Sequence, residues 1–184
     1  MVKFATKLYA KWCTYKFMHM SSEKRGLETG ALNQFSDALA ILWGEARFAF
    51  HELRDPPEPD GLCSLEGQAL HVEVGHFYGT QSDAKQLLGR TGKSAPTSEE
   101  QLLSCLVPLD ARLLTPLNRL LADKATKTYQ TSRVWLLIRS AFPLWNLSDF
   151  EEHQPSIAIP PQHPFEQIWL LCGPRASFGV LRLA

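Results

Sequence analysis

Two acidic residues, Asp60 and Glu73, have a spacing that could bring their carboxylates together. Asp60 follows Pro59 and enters one candidate strand, and Glu73 lies in the next candidate strand with twelve residues between them. Neighbouring strands can place two such carboxylates side by side at a sheet edge, where they would bind a hard divalent cation such as Mg²⁺ or Mn²⁺. Water and phosphate oxygens would complete the coordination, and the cation could then activate water and offset charge on a phosphodiester.

The elements around these carboxylates follow from the spacing of apolar residues. From Leu32 to Leu53 they recur every three or four positions, which predicts an amphipathic helix. The prolines of segment 56–59 end this helix, because proline cannot continue it. In the stretch 62–74, Glu66-Gly67 predicts a turn between two short strands, and the second strand alternates apolar and polar side chains.

The second half of the chain predicts further helices and strands. Residues 99–129 indicate a helix that is interrupted near Pro108 and restarts at Thr115-Pro116, since threonine can cap a helix and proline suits its first position. The apolar run Val134–Ile138 predicts a central strand covered on both faces. Two more strands are expected at 168–172 and 178–183. This order predicts an α/β protein with a central mixed sheet flanked by helices.

Three features of the chain occur together: Pro59-Asp60 before a strand, Glu73 on the next strand and a glutamate on the leading helix. This combination resembles the PD-(D/E)XK superfamily, the restriction-endonuclease-like nucleases. The resemblance covers roughly residues 32–172 in element order. It implies a restriction-endonuclease-like sandwich that hydrolyses nucleic-acid phosphodiesters, usually in DNA, with a divalent metal. It also implies that Asp60 and Glu73 are metal ligands and that Glu45 is the glutamate of the leading helix. Glu52, two turns later on nearly the same face, is the rival for that helical role.

The superfamily has a lysine two residues after the strand glutamate, but that position is Gly75 in this chain. Either the lysine has moved or the enzyme is inactive. Lys124 is the first replacement candidate, because a lysine on a leucine-rich helix face is costly to desolvate unless a carboxylate or phosphate meets it. Its side chain could also reach past the core edge into water. Lys127 and Lys85 are weaker candidates, and His76 could lie near the metal or be a hydrogen-bonded turn residue.

Three other motifs fail on their spacing. The segment Gly89–Ser94 looks like a phosphate-binding loop, but the required first glycine is missing and no strand precedes it. His71-Val72-Glu73 is similar to the HxE motif of zinc deaminases, but the Pro-Cys-x-x-Cys partner is absent. The four cysteines form no CxxC pair and select no Cys-His nucleophile, so free buried thiols in a reducing compartment are expected.

Composition and charge indicate an ordinary globular chain. It has 184 residues, 45% of them hydrophobic, and 19 basic residues balance 19 acidic ones, so no global field would draw it to nucleic acid. Contacts to DNA phosphates would come from local patches, namely the lysines that alternate with aromatic residues in 1–20 and Arg90 and Lys93. We expect a basic and aromatic segment at 1–25, one nuclease-like domain at 26–184, no membrane span or targeting signal, and a cytoplasmic protein.

Three functional hypotheses follow. In the first, the chain cleaves DNA, Asp60 and Glu73 hold Mg²⁺ or Mn²⁺, Glu45 assists through a second ion or a water, and Lys124 stabilises the attacking group. In the second, favoured by Gly75, a nuclease fold without catalysis serves as a nucleic-acid or protein interaction module. The third is a partner-binding α/β protein with no nucleic-acid role. Many nucleases of this fold work as homodimers, although no segment of this chain identifies an interface.

Overall fold

The computed structural model describes residues 2–44, 47–78, 108–140, 145–173 and 179–184. The helices in these ranges are α1 (Val2–Trp43), α2 (Leu109–Ala125), α3 (Leu147–His153) and a 3₁₀ helix (Gln154–Ser156). The strands are β1 (Phe48–Leu53), β2 (Gly61–Leu65), β3 (Gln68–Phe77), β4 (Val134–Ser140), β5 (Gln167–Cys172) and β6 (Gly179–Arg182).

These six strands form one mixed sheet in the order β1 to β6. The central strands β3, β4 and β5 run parallel, and the other neighbouring pairs are antiparallel. The α/β class and the mixed sheet are therefore confirmed. Glu66 and Gly67 join β2 to β3 with φ angles of 52° and 80°, as a two-residue turn with positive φ at both positions requires. The turn predicted at these two residues is confirmed.

The sheet is covered by helices on both faces, and strand alternation decides which side chains meet which helix. On one face, buried residues of α1 such as Phe35 pack with Val72 of β3 and Trp135 of β4. On the opposite face, Leu117 of α2 packs in a second cluster with Leu136 of β4. Since β4 contributes buried side chains to both clusters, the predicted central strand is confirmed.

The leading helix differs from its predicted span at both ends. Instead of covering Leu32 to Leu53, α1 begins at Val2 and ends at Trp43, and residues 48–53 form strand β1. The expected boundary between residues 25 and 26 therefore falls inside a continuous helix. Gly44 follows α1 with a φ of 86°, a left-handed conformation that glycine adopts without steric penalty. The prediction is wrong beyond residue 43 because a short strand can satisfy the same apolar spacing by chance.

Helix α2 also differs from its prediction, because it passes through Pro116 without interruption. A proline inside a helix removes one backbone hydrogen bond and favours a break, so a restart at Thr115-Pro116 was the natural expectation, and it is wrong. The buried residues Leu113, Leu117 and Leu121 recur every four positions and form one apolar stripe against the sheet. Packing of this stripe outweighs the local cost of Pro116.

The packing of α1 on the sheet can be tested with two leucines on the same helix. Leu39→Ala should lower the free energy of unfolding by about 2–5 kcal/mol, because the change leaves a cavity in the core. Leu42→Ala is the matched control and should change it by less than about 0.5 kcal/mol, since Leu42 is 57% exposed and Leu39 only 1%. Urea denaturation measures both, and equal losses would contradict the packing described.

Candidate functional site

The hairpin of β2 and β3 brings Asp60 next to Glu73. Gly61 pairs with Val72 in this antiparallel pair, so the preceding residue, Asp60, stands opposite Glu73. The Asp60 carboxylate then accepts a hydrogen bond through Oδ2 from the backbone N–H of Val74 at 2.9 Å. The strand register therefore places the two residues opposite each other, while their carboxylates have separate cationic neighbours: Lys24 for Asp60, and Lys124 and Lys127 for Glu73.

Both carboxylates line one cavity of about 370 Å³, which we call the carboxylate pocket. Its charged and titratable lining includes Lys24, Glu28, Asp60, Glu73, His76 and Lys124. Tyr129 also lines this cavity, and burial together with the nearby charges of Glu73 and Asp60 raises the pKa of its hydroxyl. Elements from opposite faces of the sheet therefore converge on a single polar pocket.

Glu73 is paired with two lysines at this pocket. The Lys124 ammonium donates to Glu73 Oε1 at 2.6 Å and to the carbonyl oxygen of Val74 at 2.7 Å. Lys127 donates to the same Glu73 oxygen at 2.7 Å. Burial alone would raise the pKa of Glu73, but the charges and hydrogen bonds of the two lysines outweigh it and lower that pKa. Glu73 is therefore held as a buried carboxylate anion.

Gly75 lies two residues after Glu73, and the structure places Lys124 beside it. A Cβ built on Gly75 would lie 3.5 Å from Cε of Lys124 and 3.5 Å from a methyl group of Leu120, which are ordinary van der Waals distances. A side chain at position 75 would thus begin in contact with the Lys124 side chain. Of the two open alternatives for Lys124, contact with a carboxylate or escape into water, the structure has the contact.

Glu28 of α1 is a site residue that the sequence analysis missed. It is 5% exposed, forms an ion pair with Lys24 at 3.1 Å and lies close enough to Asp60 for the charge of that carboxylate to act on it. The pKa of Glu28 is raised, mainly by burial and to a smaller extent by the charge of Asp60. Lys24 also approaches Asp60 at 3.9 Å. An acidic residue on the buried stripe of α1 was the available signal, but the helix was predicted to begin only at Leu32.

The two glutamates expected on the leading helix have different outcomes. Glu52 lies on strand β1, so its predicted helical role is wrong; its side chain is 57% exposed and pairs with Arg54 at 3.1 Å. Glu45 lies outside the described residues. The same holds for the expected loop and helical residues 79–107, which include Lys85, Arg90 and Lys93.

The pocket offers hard oxygen donors but no ready-made ligand cage. Within the described ranges, no group of three or more His, Cys, Asp or Glu side chains has an arrangement that could hold a metal ion. Asp60 and Glu73 could supply two carboxylate ligands, and Mg²⁺ often takes one or two carboxylates and completes its shell with water and phosphate oxygens. Lys124 and Lys127 already pair with Glu73, so a divalent cation at this carboxylate would have to displace them.

The thiols described by the structure lie in the core rather than at the pocket. Cys63 and Cys172 are free and buried, as expected for inert thiols. Burial raises the pKa of each to about 12, so both stay protonated at neutral pH. Neither offers the thiolate that a nucleophilic cysteine needs.

Comparison of the chain with protein-family models, with curated proteins and with solved structures gives no match. Among the helices in the described part of the chain, none combines the length and the apolar character that a membrane span would need.

The pKa of Glu28 is raised above the ordinary glutamate value of 4.5, and the pKa of Glu73 is lowered below it. The two residues should therefore have opposite effects on how stability depends on pH. The native state binds the Glu28 proton more tightly than the unfolded state does, so wild-type stability should fall relative to Glu28→Gln as the pH rises from 4.5 through the raised pKa. Glu73 stabilises the native state above pH 4.5, so wild-type stability should fall relative to Glu73→Gln as the pH drops through the lowered pKa.

Urea denaturation of the three proteins between about pH 3 and pH 7 measures both effects, and each unit of pKa shift corresponds to about 1.4 kcal/mol. A stability difference between wild type and either variant that does not change with pH would contradict the assigned shift for that residue.

Proposed function

We propose that the chain is a divalent-metal-dependent nuclease that hydrolyses phosphodiester bonds of DNA at the carboxylate pocket. The observation that carries this proposal is the meeting of Asp60, Glu73 and Lys124. Two carboxylates from neighbouring strands and one ammonium from a helix converge there. This set matches the acidic pair and the lysine that the PD-(D/E)XK resemblance implies, with the lysine supplied by α2 instead of position 75.

The fold supports the same proposal at a coarser level. A mixed sheet with helices on both faces, in which a hairpin carries the acidic pair and a helix packs beside it, is compatible with a restriction-endonuclease-like sandwich. The hairpin strand β3 then leads through α2 to the parallel strand β4. We therefore propose the restriction-endonuclease-like sandwich as the specific fold of this chain.

Asp60 and Glu73 would hold Mg²⁺ or Mn²⁺, and Glu28 could assist from α1 through a water or through Asp60. The metal, when bound, would supply positive charge that activates water and stabilises the phosphorane-like charge of the transition state. The buried Glu28 carboxyl, with a pKa raised by burial and by the nearby charge of Asp60, is suited to hold a proton near that water. It takes the role that the sequence analysis gave to Glu45.

Lys124 and Lys127 would exchange partners when the substrate arrives. In the structure both ammonium groups contact Glu73, whereas a phosphate group is an equally good acceptor for charged N–H donors. Lys124 could then orient the attacking water or donate to a phosphate oxygen as negative charge develops. Lys127, whose side chain is 49% exposed, would contact the phosphate from the solvent side.

Cleavage of supercoiled plasmid with Mg²⁺ or Mn²⁺ tests the proposal. Asp60→Asn, Glu73→Gln and Lys124→Met should each lower the nicking rate by at least about 100-fold, because each removes a group that stabilises developing charge. Glu52→Gln is the matched control, since that exposed carboxylate pairs with Arg54 on β1, and it should retain wild-type activity. Nicking that survives in the three pocket variants would contradict the assigned site.

A lysine transplant sharpens the same test. If Lys124 replaces the missing lysine of position 75, Gly75→Lys in the Lys124→Ala background should regain at least about 10-fold in rate over Lys124→Ala alone. Gly75→Met in that background has a similar side-chain length without the ammonium and should regain nothing. Equal activity of the two double variants would mean that the charge at this place is irrelevant.

Gly75 also supports a second candidate, a nuclease fold that binds nucleic acid or protein without cleaving it. In this alternative the lysine pairs of Glu73 are permanent and no metal displaces them. Binding of plasmid or single-stranded DNA without nicking in either metal would favour this module over the nuclease. Absence of DNA binding even at low salt, where phosphate contacts are strongest, would favour a partner-binding protein with no nucleic-acid role.

A further inference from the structure

His76 and Arg139 lie side by side on the α1 face of the sheet. They are paired in the register of the parallel strands β3 and β4, two residues beyond the pair of Val74 and Leu137. Val74 and Leu137 belong to the core that α1 covers, and side chains two residues apart in a strand share a face. His76 and Arg139 therefore extend from that core at the carboxyl ends of two parallel strands, which is where α/β sheets commonly bind ligands.

Both side chains have buried polar atoms without a partner. The Nδ1 and Nε2 atoms of His76 and the Nε atom of Arg139 are buried and form no hydrogen bond with any of the described residues. Buried polar groups are paired in the great majority of cases, because an unmade hydrogen bond is costly. Three such atoms on two adjacent side chains leave hydrogen-bonding capacity at this place that no described residue uses.

The surroundings of His76 favour an anion. The pKa of His76 is lowered to about 4, mainly by burial and to a smaller extent by the positive charges of Arg139, Lys124 and Lys24. The imidazole is therefore neutral at neutral pH and has one N–H donor, next to a guanidinium whose N–H groups can only donate. An oxyanion is the ligand that accepts from both side chains and gains from the positive field.

We propose that His76 and Arg139 form an anion subsite that holds a backbone phosphate of the substrate strand beside the carboxylate pocket. His76 lines that pocket, so the subsite opens directly onto it. A phosphate held by this pair would belong to the same strand as the phosphate bound at the carboxylate pocket. The identity of the ligand as a strand phosphate rests on the proposed nuclease function, whereas the anion preference follows from the donors alone.

Binding without metal tests the subsite independently of cleavage. In EDTA at low salt, the affinity for a short fluorescent DNA strand is measured by anisotropy and that for inorganic phosphate by calorimetry. Arg139→Gln and His76→Phe should each weaken binding of both ligands by about 10-fold. His76→Gln retains an N–H donor and should weaken it less than His76→Phe does. Arg47→Gln and His51→Gln are the matched controls. His51 lies on β1 and Arg47 directly precedes this strand, both outside the pocket, so these variants should bind as the wild type does.

The same variants distinguish a strand phosphate from a terminal one. Equal loss of affinity for strands with a 5′-phosphate and with a 5′-hydroxyl supports the backbone assignment, and a loss confined to the phosphorylated strand overturns it. Unchanged affinity in folded Arg139→Gln and His76→Phe overturns the subsite even if the chain cleaves DNA. Loss of affinity in these variants, with no cleavage in any metal, supports the anion subsite and refutes the nuclease.

In the cleavage reaction, Arg139→Gln should raise KM by about 10-fold and leave kcat within about 3-fold, since the held phosphate is not the one attacked. Lys124→Met should instead lower kcat. A fall in kcat without a change in KM for Arg139→Gln would overturn the positioning role proposed for this pair.

Discussion

The burial of Glu73 against two ammonium groups is the interaction on which the rest of the site depends. Glu73 is 3% exposed in a strand that has a hydrophobic core on both faces, where an isolated carboxylate would be strongly destabilised. Lys124 and Lys127 offset that cost and also tie the carboxyl end of α2 to β3. A buried ion pair seldom stabilises a fold more than apolar residues of similar volume would, but removing one partner would leave an uncompensated buried charge.

The pocket combines groups that a phosphodiester and a cation could each recruit. Its carboxylates are partnered by lysines, so the charges are balanced before any ligand arrives. A phosphate that attracts the lysines would free the carboxylates for a cation, and a cation on the carboxylates would free the lysines for phosphate. Under the proposed function the two ligands should therefore help each other to bind, as thermodynamic linkage requires of any such pair. His76 and Arg139 would add further hydrogen-bond donors for phosphate at the carboxyl ends of β3 and β4.

The parts of the site that were predictable from the sequence depend on local geometry. The tight turn at Glu66-Gly67 fixes the register of the hairpin, and the register brings Asp60 to Glu73. The contact of Lys124 with Glu73 spans 51 residues, and only the cost of placing a lysine on an apolar helix face pointed to it. Glu28 was missed because the apolar spacing predicts a helix only from Leu32, whereas α1 already includes residue 28. The passage of α2 through Pro116 is a second case in which packing overrides a local preference.

Joint binding of one divalent cation by Asp60 and Glu73 can be measured with the Mn²⁺ signal in electron paramagnetic resonance, which reports free ion. With a non-hydrolysable DNA strand present, the wild type should take up one Mn²⁺ per chain beyond the uptake of the DNA alone, and the Asp60→Asn/Glu73→Gln double variant should add none at the same concentrations. The Glu52→Gln variant should match the wild type. Equal uptake by the wild type and the double variant, or no uptake by the wild type with DNA bound, would contradict the account.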